Sequence, residues 1–263
     1  MSSTLATPPP HLPNWQASVA RAFSRAAPQY DALASAQREI GKALWLALPT
    51  HAKHVLDLGC GTGYWTQRLA ARYPHAHLTG LDIAPGMLAH AQALYGDVIT
   101  WQQGDAAALP FENSRFDLIV SNLAIQWCSD VSAVMQELAR VLTPGGEAHI
   151  TTLLPGTLKE VATAWQRPEA LLQMPDASTV EDAVALSGLT LARSTTEQRQ
   201  FYYPDLSAVM ASIKGVGAQV TRPNAQLTRR ELAAAQARFE TLREPQGLPV
   251  SYHCFTLHLE KTP

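Results

Sequence analysis

Residues 54–63, His-Val-Leu-Asp-Leu-Gly-Cys-Gly-Thr-Gly, constrain this chain more than any other stretch. Val55, Leu56 and Leu58 form a short apolar run of the kind that fills a strand buried on both faces. The run ends in Gly59, Gly61 and Gly63, residues that accept φ > 0 and let a ligand meet bare backbone. Past Gly63, Trp65, Leu69 and Tyr73 recur at the spacing of one helical face. A strand feeding a glycine loop and then a helix builds a nucleotide crevice at the carboxyl end of a parallel sheet.

The glycine spacing selects the ligand. A dinucleotide loop reads G-x-G-x-x-G, whereas this one reads G-x-G-x-G, with Tyr64 where the third glycine would stand. Asp57 sits just before the loop, where its carboxylate would repel a pyrophosphate. A ligand carrying an ammonium group and no phosphate suits it, and S-adenosylmethionine is such a ligand. A turn with no ligand is the alternative for an isolated glycine trio. Two further acids argue against that. Asp82 ends a second strand, Leu78 to Asp82, near the distance at which an acid accepts from ribose hydroxyls. Asp105 follows a third apolar run, Val98 to Trp101, and can accept from an adenine amino group, with Ala106 offering its N–H to the ring. Singly each would be a solvated loop acid. At regular strand–helix intervals, Asp57, Asp82 and Asp105 are expected to line one sheet edge.

The 263 residues allow one large domain or two small ones, and 46% apolar residues suffice for a core. A formal charge of −2 gives no reason to expect nucleic acid or a membrane surface as a partner. Cys60, Cys128 and Cys254 match no metal spacing, so no metal is expected, and an odd, unpatterned set fits a reducing compartment. No apolar stretch is long enough to span a bilayer, and no signal-peptide pattern opens the sequence. A cytoplasmic protein is expected, with a monomer as the default state.

Residues 1–13, rich in proline and small polar residues, read as a disordered arm. A single domain is expected over 14–263. Trp15, Val19, Ala22, Phe23 and Ala26 follow helical spacing up to a break at Pro28, and a second helix runs from about Ser35 to Leu48. These segments, 14–49, can fold over the crevice as a lid, with Tyr30 and Gln37 as its notable polar groups. Strands and helices then alternate, which predicts a parallel sheet with helices on both faces. Leu88, Ala91 and Leu94 mark the helix after strand two. Phe116–Ser121 is strand four. An amphipathic helix over Val131–Leu142 is stopped by Pro144-Gly145-Gly146, and Glu147–Leu153 is strand five. Beyond strand four, Asn122, Gln126 and Trp127 face the crevice and can position an acceptor. Helices are expected around Leu158–Trp165 and Thr179–Gly188.

The last two extended runs, Leu189–Tyr203 and Val250–Leu259, are separated by 205–247, helical in pattern and read as a cap over the active face. Thr228-Arg229-Arg230-Glu231 has the form of a capping box. Six basic residues, Arg222, Arg229 and Arg230 among them, stand against four acidic ones, giving the insertion a charge of +2. Ser212-Ile213-Lys214-Gly215-Val216-Gly217 points to close backbone approach or a kink.

The stretches VLDLGCGTGYW, GLDIAPGML and GDAAALPF resemble class I S-adenosylmethionine-dependent methyltransferases over about residues 50–155. FSRAAPQYD, SNLAIQWC, SIKGVGA and LPVSYHCF narrow the resemblance to the malonyl-[acyl-carrier protein] O-methyltransferases of biotin synthesis. The resemblance implies an α/β, Rossmann-like sheet, mostly parallel with the last strand antiparallel, with N-terminal helices and a helical cap between the last two strands. It implies S-adenosylmethionine as cofactor, S-adenosylhomocysteine as product and malonyl-carrying acyl-carrier protein as partner. Tyr30, Asp57, Gly59, Gly61, Gly63, Asp82, Ile83, Met87, Asp105, Ala106 and Asn122 fall in the cofactor set. Gln126, Trp127, Arg222, Arg229 and Arg230 are candidates for the substrate. A carboxylate is already a nucleophile at neutral pH and needs no general base. It needs holding, by a cation or a Tyr–His pair, and Lys214, Tyr252 and His253 are the candidates. Another small-acid or quinone methyltransferase, or a cofactor-binding module without catalysis, remains the alternative.

Overall fold

In the computed structural model the described residues are 15–166, 171–215 and 228–262, and the Arg229 side chain is not among them. The arm over 1–13, Arg222, Val216 and Gly217 lie outside this description. Seven strands form one sheet: β1 (His54–Leu58), β2 (His77–Asp82), β3 (Thr100–Gln103), β4 (Phe116–Asn122), β5 (Leu142–Leu153), β6 (Thr190–Tyr203) and β7 (Leu248–Glu260). Their order is β3-β2-β1-β4-β5-β7-β6. β1 to β5 pair in parallel, and β7 runs antiparallel between β5 and β6. The order reverses between β1 and β4, the switch point at which open α/β sheets bind ligands.

The helices are α1 (Trp15–Leu33), α2 (Ser35–Ala47), α3 (Tyr64–Arg72), α4 (Pro85–Tyr95), α5 (Val131–Val141), α6 (Lys159–Trp165), α7 (Ala177–Ser187), α8 (Leu206–Lys214) and α9 (Arg229–Glu240). One sheet face packs α5 and α7 through Leu138, Val141, Val180 and Val184 against Ile119, Ile150 and Leu257. The other carries two clusters. Leu44 of α2 and Leu69 of α3 cover Val55, Leu118 and Val120. Ile40 of α2 meets Leu206, Val209 and Ile213 of α8, Phe239 of α9 and Val250 of β7. Leu206, Val209 and Ile213 thus form the buried stripe that their spacing predicts, and Thr228 with Glu231 forms the expected capping box. Gly215 abuts the end of α1: an added Cβ would fall 2.0 Å from Leu33 Cδ1. No described helix is long and apolar enough to cross a membrane.

Several local expectations are corrected. Pro28 does not break α1, which continues through it to Leu33. Ala26 and Ala27 are buried, and Ala27 packs with Ala84 and Met87, so packing outweighs the one lost backbone bond. β3 begins at Thr100: Val98 belongs to a 3-10 turn and is 90% exposed. Leu94 is exposed rather than inward. Pro144-Gly145-Gly146 does not separate helix from strand, because β5 starts at Leu142 directly after α5. Its register jumps from Leu142↔Phe116 to Glu147↔Leu118, and Gly145 takes φ 77° inside that bulge.

Candidate active site

The loop after β1 is pinned to the next strand. Gly59 N and Cys60 N donate to Leu81 O at 2.7 and 3.0 Å, and Gly61 N donates to Asp82 Oδ2 at 2.9 Å. Gly59 and Gly61 both have positive φ, 74° and 55°, but for different ends. A Cβ on Gly59 would lie 2.2 Å from Ala124 Cβ, so this glycine serves packing. A Cβ on Gly61 would meet nothing within 4 Å and would project into open space. That space belongs to a cleft of about 750 Å³, its open mouth included. Gly63 does not line the cleft: it precedes α3 and backs onto Trp101 and Tyr95.

Asp82, Ile83, Met87, Asp105, Ala106, Asn122 and Trp127 line the cleft with Gly59, Gly61 and Tyr30. Asp82 is 8% exposed, and its Oδ1 accepts from Ala84 N at 2.8 Å. Burial pushes its carboxyl up, while the backbone bonds from Ala84 and Gly61 pull it back. Each of its oxygens keeps a further lone pair for a ligand hydroxyl. Asp82→Ala is expected to weaken S-adenosylmethionine binding by about 1.5–3 kcal/mol, the scale of a hydrogen bond to a charged group. Calorimetry would check this, and unchanged affinity in a folded variant would remove Asp82 from the ribose role. Asp105 accepts from Gln16 Nε2 at 2.6 Å and from Ala107 N at 3.0 Å, so α1 reaches across to it.

Asp57 departs from the expected row. It does not line the cleft but a separate narrow crevice with Gly41, Trp65 and Asn122, the last of which lines both. Its Oδ2 accepts from Thr66 Oγ1 at 2.6 Å, and burial pushes its carboxyl up to about 7. The alternation of β1 turns Asp57 with Val55 toward α2 and α3, away from the cleft.

The roof comes from α1. Gln16, Val19, Phe23 and Tyr30 all line the cleft. Trp15 Nε1 donates to Trp127 O at 2.9 Å, and the Trp127 ring stacks on Trp15 and takes Phe23 edge-on. Sequence reasoning missed Gln16 and the ligand-facing role of Phe23. Their spacing of seven residues on one helical face was the available signal. The floor at the end of β4 is strained: Leu123 takes φ 55°, uncommon for a side chain of its size. Leu123, Ala124 and Cys128 line the cleft as well. Gln126 does not. It is buried, donating to Leu123 O at 2.8 Å and meeting Thr152 Oγ1, so it braces the turn.

The residues expected to hold a substrate carboxylate are not brought together. Tyr252 and His253 are neighbours on a strand and project to opposite faces. Tyr252 is buried among Ile40, Val209 and Val250, and burial, with Tyr203, Cys254 and Tyr30 adding, raises its phenol so that it stays protonated. His253 bonds Pro155 O at 3.0 Å and Gln198 Oε1 at 3.2 Å on the other side. Lys214 is exposed at the end of α8 and does not line the cleft. Arg230 is exposed on α9. Arg238 and Arg243 of the cap are engaged, donating to Ala164 O and pairing with Glu240.

Whether S-adenosylmethionine fits is decided by the polar atoms at hand. Asn122 Nδ2 donates to Gln37 O at 3.0 Å, but Asn122 Oδ1 and Gln37 Oε1 are buried acceptors without a hydrogen-bond partner. Buried orphan acceptors are costly, and an ammonium group in the cleft that Asn122 lines would satisfy its Oδ1. With the space over Gly61 and the acid Asp82, that oxygen forms a site suited to that cofactor.

A sheet of this order with a glycine loop and acid-ended strands defines a class I S-adenosylmethionine-dependent methyltransferase. A methyltransferase-domain family model matches residues 55–146. A malonyl-[acyl-carrier protein] O-methyltransferase from Erwinia pyrifoliae is 38% identical over 96% of this chain and 95% of its own. The biotin biosynthesis bifunctional protein BioHC of Cellvibrio japonicus is 41% identical over 92% of this chain, which spans 50% of that longer relative. A putative methyltransferase from Bacillus halodurans shares the fold at a TM-score of 0.62 and 15% identity, over 86% of this chain and all of that one. The chain belongs to the malonyl-[acyl-carrier protein] O-methyltransferase family.

Proposed function

We propose that this chain methylates the free carboxylate of a malonyl thioester carried on acyl-carrier protein, giving the methyl ester that primes pimeloyl synthesis for biotin. The observation that carries this is the identity of 38% maintained over 96% of the chain and 95% of a relative bearing that name. When bound, S-adenosylmethionine supplies an electrophilic methyl group on a sulfonium. Gly61, Asp82, Asp105 and Asn122 are the residues that would hold it, Asp82 at the ribose and Asn122 at the amino-acid end. The rest of the task is proximity and in-line orientation, worth several orders of magnitude when the reacting atoms are well placed. Phe23, Tyr30 and Trp127 close the cleft and exclude water from the carboxylate. Tyr252, buried in an apolar cluster and kept neutral, does not serve as a base.

Docking of the carrier is assigned to the basic cap. Charge reversal at Arg222, Arg229 and Arg230 is expected to raise KM for malonyl-carrier protein, the more so at low salt, and to leave cofactor affinity unchanged. Kinetics insensitive both to salt and to these reversals would sink the docking role. The activity itself is tested by mass spectrometry: a mass increment of one methylene on malonyl-carrier protein rather than on free malonate or other small acids. Methylation of free acids alone would replace the carrier-linked substrate with a small acid.

A further inference from the structure

At the other end of the sheet from the cleft, β5 and β7 bring together four ionisable side chains. Their antiparallel register sets Glu147 opposite Glu260 and His149 opposite His258. Glu147 lies four residues before Thr151, the partner of Asn122 at the cleft, or roughly 13 Å along the strand. One carboxylate oxygen, Glu147 Oε2, lies 3.0 Å from His149 Nε2 and 3.2 Å from His258 Nε2. Glu260 Oε1 lies 3.7 Å from the same His258 nitrogen.

Three observations point beyond an ordinary ion-pair patch. His149 is 1% exposed, so an imidazole has been taken almost wholly out of water. His258 Nε2 is buried and makes no hydrogen bond, although Glu147 Oε2 stands only 3.2 Å from it. Two carboxylates directly opposite on neighbouring strands repel each other unless a cation sits between them. One ligand atom each from Glu147, His149 and His258 falls within 4.8 Å of the others. In a tetrahedral site with bonds of about 2.0–2.1 Å, ligand atoms stand roughly 3.3 Å apart. The oxygen–nitrogen separations of 3.0 and 3.2 Å are close to that.

We propose that Glu147, His149 and His258 form a three-ligand binding site for a divalent transition-metal ion of the zinc class, with the Glu260 carboxylate adding negative charge beside His258. Two imidazoles with carboxylates suit Zn²⁺ or Ni²⁺ better than Ca²⁺ or Mg²⁺, which take oxygen ligands. The rings stand 4.3 Å apart at 20°, stacked face to face. Nitrogen lone pairs lie in the ring plane, so the ion requires the outer, 27%-exposed His258 ring to turn toward it. The site then ties β5 to β7, the antiparallel part of the sheet, independently of the methyl-transfer cleft.

The test uses the full chain, stripped with chelator and titrated with ZnCl2 in a calorimeter. One tight site per chain is expected, with a zinc-dependent rise in melting temperature. His258→Asn and Glu147→Gln should each weaken zinc binding by about tenfold or more. His90→Ala, on α4 against β2 and β3 at the far edge of the sheet, should leave it unchanged. S-adenosylmethionine binding by each variant verifies that it is folded and separates this proposal from the methyltransferase reading. Zinc binding equally tight in folded His258→Asn and Glu147→Gln, or absent from the parent chain, would overturn the site.

Discussion

Gly61→Val is expected to abolish S-adenosylmethionine binding while leaving the fold in place. The two halves of that result have separate causes. A Cβ at this position meets no protein atom within 4 Å, so the substitution starts from open space rather than from a clash with the protein. It does enter the cleft that Gly61 lines, in the volume a ligand would need. The remaining cost is a β-branched residue at φ 55°, roughly 1–3 kcal/mol of backbone strain. The apo variant should therefore melt a few degrees below the parent, and added cofactor should raise that temperature no further. Gly59→Ala is the contrasting case. Its Cβ would fall 2.2 Å from Ala124 Cβ, so it should lose stability through packing before cofactor enters the question. Normal cofactor affinity in Gly61→Val would make the loop a turn and nothing more.

Asp57→Asn should flatten part of the stability–pH curve of the apo protein. Burial raises this carboxyl from an ordinary 3.8 to about 7 in the folded chain. Between those values the unfolded chain has released its proton and the folded chain has kept it. Stability therefore falls as pH rises through that window, by about 1.4 kcal/mol for each unit of pH. Between pH 5 and pH 7 the loss is roughly 2–3 kcal/mol, and it levels off above pH 7. Asparagine keeps an oxygen for Thr66 Oγ1 and carries no ionisable group. Urea titrations at pH 5 and pH 7.5 should show the gap between variant and parent widening in favour of the variant. Parallel curves would mean that Asp57 ionises in the fold at an ordinary value.

Near the loop, the residues that pattern alone could find are those whose role is set within a few positions of the chain. Gly59, Gly61, Asp82 and Asp105 sit at strand ends, and a strand end is legible as an apolar run meeting glycine or acid. The Thr228–Glu231 capping box is local in the same sense, each side chain bonding the backbone of the other. Pro28 and the Pro144-Gly145-Gly146 segment show the limit of local rules. Both are strong breakers, yet one sits inside a helix and the other inside a strand, because neighbouring elements supply the packing and pairing that hold them. Asp57 shows a second limit. Strand periodicity tells that it and Leu58 face opposite ways, but not which face meets the cleft.

The strand–glycine–helix unit, the strand-end acids, the helical insertion and, through long motif resemblance, the cofactor chemistry are legible in the chain alone. The first three follow from period, turn chemistry and short-range hydrogen bonding, and the last from resemblance. Folding in three dimensions decided what the expected lid helix α1 contacts, bonding its Gln16 to Asp105, and set Tyr252 and His253 on opposite faces. Only it placed His149 across from His258. Those contacts join residues far apart in the chain, and their register is set by how β5, β7 and α1 bury their apolar faces together, a condition no local window contains.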